Sequence, residues 1–101
     1  MQPAQPETVP VFVFYFEPQG ASAAPGGFSW FWDESAALAA FDDAAASASY
    51  DTDDLSVFEV PVPTQVIALA PVTAVPRFVD GQANRATSRQ LRHRPPITPA
   101  T

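Results

Sequence analysis

The sequence predicts an α+β fold. It is a small single-domain sandwich: a three- or four-stranded antiparallel sheet in the order β-β-α-β, one alanine-rich helix on one face, and a disordered C-terminal tail. Three observations predict it. VPVFVFYFE at residues 9–17 and LSVFEVPVP at residues 55–63 are β-branched and aromatic runs of strand length. ESAALAAFDDAAASAS, from residue 34, is rich in the best helix-forming residue. The chain has 101 residues, 47 % of them apolar, which suits one domain with a real core.

Residues 1–8 carry Pro3 and Pro6 among polar neighbours and read as a flexible lead-in. The first strand alternates Phe12, Phe14 and Phe16 with Val11, Val13 and Tyr15. Both of its faces are therefore apolar, the pattern of a strand covered on both sides. PQGASAAPGG, residues 18–27, reads as a loop, with Gly26 and Gly27 as a turn. FSWFW then forms a second strand, hairpinned to the first. It sends Phe28, Trp30 and Trp32 to one face and Ser29 and Phe31 to the other.

Asp33 stands where a helix N-cap belongs, and Glu34 suits the positive end of the helix dipole. Leu38, Phe41, Ala45 and Ala48 recur at helical spacing, and the helix is expected to end near Tyr50, before the turn-forming DTDD. In the third strand Phe58, Val60 and Val62 oppose Val57 and Glu59. Pro61 and Pro63 belong at its end or on an edge, because proline lacks a backbone donor. QVIALA, residues 65–70, reads equally as a fourth strand or as a helical turn, and Pro71 and Pro76 are expected to break any element after it. The domain thus spans 9–80. Residues 81–101 form a basic, proline-containing tail: QANRATSRQLR could make a short helix, and HRPPITPAT is expected to be extended or disordered.

Charge is divided along the chain. Of eleven acidic residues, ten lie before residue 77, where no lysine or arginine occurs. All five basic residues (Arg77, Arg85, Arg89, Arg92 and Arg94) come after, and the net charge is −6. Such asymmetry points to charged partners or to contacts within the chain. The basic residues Arg85, Arg89, Arg92 and Arg94 admit three readings: a solvated tail, a clasp on the acidic body, or a phosphate contact. With no interleaved aromatics they make a weak nucleic-acid signal, and the acidic body would repel a duplex.

Catalytic patterns are sparse. His93 is the only histidine and falls in the proline- and arginine-rich tail, a poor place for a positioned base. Asp42 and Asp43 are neighbours on a helix and diverge, so they do not converge on a substrate. Asp51, Asp53 and Asp54 begin like a calcium loop, but Ser56 stands at the sixth position and Val62 at the twelfth. No cysteine, zinc spacing or phosphate-binding glycine motif occurs. No enzyme activity, cofactor or metal is expected. The absence of cysteine, of a signal peptide and of a long apolar stretch points to a cytoplasmic protein off the membrane.

What stands out is aromatic. GGFSWFW, residues 26–32, carries four large rings. They are either core, packed on Leu38 and Phe41, or partly an interface anchor, where tryptophan is enriched. One helix covers only one face, so the other needs residues 65–80, a second copy, or a partner. The first functional expectation is a non-enzymatic module that binds a basic protein surface. Asp33, Glu34, Asp42, Asp43, Asp51, Asp53 and Asp54 would steer it, and Trp30, Phe31 or Trp32 would anchor it. Small acidic inhibitors of host defence made by phages and mobile elements, anti-CRISPR proteins among them, are an analogy of class for it. The alternative is a structural or assembly protein that self-associates through its aromatic sheet face, as a homodimer or a capsid- or tail-type contact, with the arginine tail as a clasp on a neighbour.

Overall fold

The computed structural model describes residues 8–19, 26–69, 71–80 and 88–97. The fold is a four-stranded antiparallel sheet covered on both faces by helices. Strands β1 (Thr8–Pro18), β2 (Gly27–Phe31), β3 (Asp53–Pro63) and β4 (Arg89–Arg94) lie in the spatial order β2-β1-β3-β4. Helix α1 (Glu34–Ala45) joins β2 to β3, with a short 3-10 turn at Ala48–Tyr50. Helices α2 (Thr64–Leu69) and α3 (Pro71–Asp80) come after β3.

The two longest strands are the two central ones. β1 and β3 pair along their whole length, from Thr8 opposite Pro63 to Pro18 opposite Asp53. β2 flanks only Phe12–Phe16, and β4 flanks only Leu55–Glu59. Pro10 and Pro61, which face each other, lie beyond both flanking strands, where a missing donor disrupts no outer ladder.

The alternation in β1 sorts its side chains into two cores. Phe12, Phe14 and Phe16 join Leu55, Val57, Phe31 and Leu91 beneath α1, which contributes Ala37, Phe41 and Ala44. Val11, Val13 and Tyr15 join Phe28, Trp30, Phe58, Val60 and Val62 on the other face. That second face is covered by Val66 and Ile67 of α2 and by Val75 and Val79 of α3. The missing cover thus comes from residues 65–69 and 71–80, which are helical. Pro76 does not break α3, contrary to the sequence expectation. Proline in a helix removes one backbone bond and crowds the preceding turn, but full burial of Val75 and Val79 on the sheet holds the helix across it.

Four further expectations are corrected. Residues 89–94 are neither disordered tail nor helix; they form β4 on the free edge of β3. The register shifts between Val57 and Phe58, where Leu91 is the extra residue of a bulge and packs towards α1. Helix α1 stops at Ala45 and not near Tyr50. Asp33 occupies the N-cap position, but its side chain makes no capping bond and accepts instead from the Ser35 hydroxyl. Finally, Gly27 is no turn residue: it opens β2 directly opposite Phe16.

The Phe16 ring lies over Gly27, so a Cβ there would stand 2.6 Å from its Cζ. The ring has little room to swing, because it packs edge-on against Tyr50 and beside Phe14. Gly27→Ala is expected to destabilise the fold by about 1–3 kcal/mol through this overpacking. A lower urea midpoint with an unchanged slope would show it, and a wild-type midpoint would refute it.

Candidate functional site

The aromatic run divides among three environments. Phe28 and Trp30 point to the core under α2 and α3, and Phe31 points to the core under α1. Phe28 and Trp30 therefore do not pack on Leu38 and Phe41, as one expectation had it; strand alternation sends them through the sheet to the opposite side. Trp32 lies just past the end of β2 and is 50 % exposed. Its ring meets Trp30 edge-on at 5.1 Å, so a partly buried neighbour orients it.

Four exposed carboxylates come after that ring in the chain. Asp33 and Glu34 sit at the start of α1, where the helix dipole favours them. Asp42 and Asp43 sit in its last turn, at the negative end, with no basic residue there. Among the described residues none of these four side chains has an ion-pair partner. The buried stripe Ala37, Phe41 and Ala44 faces the sheet, so Asp42 and Asp43 flank the outward side.

The other three acidic candidates are not equivalent. Asp53 is only 6 % exposed, and its carboxylate accepts from the Thr52 hydroxyl at 3.5 Å. Burial takes it out of any docking surface. Asp54 is bonded to His93, Nε2 to Oδ1 at 2.9 Å. Asp51 is half-buried in the turn before β3, and its carbonyl accepts from the Ile97 amide at 2.8 Å.

The basic segment folds back on the acidic body. Arg89 pairs with Glu59 at 2.9 Å. The Nη2 of Arg94 donates to the carbonyls of Tyr50 and Asp53, while its buried Nε and Nη1 have no partner among the described residues. Arg92 is exposed, with Nη1 donating to the Leu91 carbonyl at 2.8 Å. Arg85 lies outside the described residues.

His93 is therefore a strand residue and not part of a loose tail. It stands opposite Ser56, two residues along β3 from Asp54 and on the same face. The residue types of a hydrolytic triad meet here, but the described contacts include no hydrogen bond between His93 and Ser56. The nucleophile–base contact that defines such a triad is lacking.

No helix among the described residues is long and apolar enough to cross a membrane. The arrangement sets an oriented, half-exposed tryptophan ahead of a helix that carries exposed carboxylates at both ends. No protein-family model matches this chain, and neither the curated proteins nor the solved structures include a significant match.

Proposed function

We propose that this protein is a non-enzymatic, acidic protein-binding module that acts in the cytoplasm. It occupies a basic surface of a nucleic-acid-handling protein or complex and blocks it. The class of agent this suits is an inhibitor carried by a phage or mobile element, of the anti-CRISPR kind.

The observation that carries the reading is the position of Asp42 and Asp43. Both lie in the last turn of α1 with no counter-charge, where carboxylates oppose the dipole. Fold stability gives no reason for them to be acidic. A basic partner does, because complementary charge speeds encounter and selects the surface met. Trp32 supplies the large, pre-oriented apolar area typical of an interface anchor.

Two expected outcomes test this. Asp42→Asn combined with Asp43→Asn should raise stability, by about 0.3–1 kcal/mol per site at low ionic strength, while weakening capture of the partner. Trp32→Ala should leave the melting temperature nearly unchanged and cost binding by at least about 2 kcal/mol. Pull-down from target-cell lysate at low and high salt, followed by titration of the recovered protein, reads both. A basic protein released by salt and lost in both variants supports the reading. Recovery of only the chain itself, resistant to salt, favours the self-associating alternative.

A further inference from the structure

A pocket of about 200 Å³ opens on the α3 side of the sheet, at the end where β1 leads towards β2. Its walls include Tyr15, Glu17, Phe28, Asp54, Ser56 and Val79. It is smaller than the roughly 300–1,000 Å³ of sites for drug-sized ligands, and it suits a single side-chain head.

The strand register explains its chemistry. Tyr15 stands opposite Ser56, and Glu17 stands opposite Asp54, so all four share one face. Like charges directly opposite each other on neighbouring strands repel. His93 engages Oδ1 of Asp54, and Glu17 has no basic partner among the described residues. A second feature is independent of the carboxylates. Ser56 is only 9 % exposed, yet its hydroxyl makes no hydrogen bond among the described residues. Ser56 lines the pocket, so a group entering it would find this hydroxyl free to pair. The rings of Tyr15 and Phe28, 5.9 Å apart and tilted, add an aromatic wall.

Two carboxylates, a sheltered hydroxyl without a partner and an aromatic wall match one ligand chemistry. The guanidinium group is planar, carries a fork of donors for carboxylate and hydroxyl oxygens, and stacks on aromatic faces. We propose that the pocket takes the arginine head of the bound protein. This rests on the reading that the partner is basic, and it gives that partner a second point of attachment away from α1.

The test begins without the partner. Amide shifts of the full chain are followed by NMR during titration with N-acetyl-arginine methylamide, and separately with the uncharged citrulline analogue. The expected result is saturable shifts at residues 15–17, 26–28 and 54–56 with the arginine compound only, weakened about tenfold or more in Glu17→Gln. Glu17 is exposed, so that variant should fold. Shifts absent, equal with citrulline, or unchanged in Glu17→Gln would overturn the pocket. The recovered partner provides the second arm. Weaker capture by Glu17→Gln supports the proposal. Capture that is lost in the Asp42→Asn, Asp43→Asn variant but kept in Glu17→Gln overturns the pocket and leaves the α1 reading standing.

Discussion

Ending the chain at residue 87 is expected to produce an aggregating protein, and not a trimmed version of the same fold. A truncation of this kind would be harmless if residues 88–97 were a solvated tail. In the structure they supply β4, which pairs with Leu55–Glu59 of β3. They also place Leu91 in the core under α1. Arg94 and the Ile97 amide tie the segment to the carbonyls of Tyr50, Asp51 and Asp53. Removing it would leave β3 as a bare edge eleven residues long, with Leu55, Val57 and Val60 along it. Long apolar edges invite pairing with other chains, and a short, charged edge strand such as RQLRHR guards against it. Light scattering and thermal unfolding would read the outcome. A monodisperse truncated protein with the melting temperature of the full chain would show that β4 contributes nothing.

Phe14→Ala is expected to be the most damaging single substitution for the sheet. Phe14 sits mid-strand in the central β1, almost fully buried. It meets Phe41 of α1 edge-on at 6.4 Å and lies 6.0 Å from Phe16. Truncating a buried phenylalanine costs about 3–5 kcal/mol, transfer and cavity terms together. Domains of this size have only about 5–15 kcal/mol in total. A fall in melting temperature on the order of 15–30 °C should result. Phe14→Leu, which keeps most of the volume, should cost about 1.5 kcal/mol or less. If both substitutions cost the same small amount, α1 does not pack on β1 as described.

The proposals for function rest on different physical grounds. The α1 face is argued from charge placed against the helix dipole, and the pocket from an unpaired hydroxyl beside opposed carboxylates. A salt-sensitive complex that depends on Asp42 and Asp43 would speak for the first alone. Binding of a bare arginine head would speak for the second alone. If neither occurs and the chain is recovered only with itself, the exposed Trp32 becomes the natural starting point for mapping self-association.

Much of the fold was legible locally. Alternation in residues 9–17 predicted a two-faced strand, and β1 is one, with Phe14 under α1 and Val13 under α3. The alanine-rich run predicted α1, because helix propensity over a dozen residues is a local property. Local patterns did not reveal the tail's role. RQLRHR has one aliphatic side chain, and it becomes a strand only because β3 presents a free edge and matching carboxylates, Glu59 and Asp54. Pro76 sits inside α3 for a similar reason: burial of its neighbours against the sheet outweighs the lost backbone bond.

The candidate sites divide along the same line. Asp33, Glu34, Asp42 and Asp43 could be named from the sequence, since exposure on a helix is set by spacing. The burial of Asp53, the pairing of Asp54 with His93, and the pocket between Glu17 and Ser56 could not. Each depends on cross-strand register between residues far apart in the chain. The sequence by itself determined β1, β2, α1 and β3, and how charge is divided between body and C-terminal segment, but not that α2 and α3 are helices. The tertiary structure alone decided which acidic groups stay free, because only packing brings arginine and histidine onto some carboxylates and leaves others facing water.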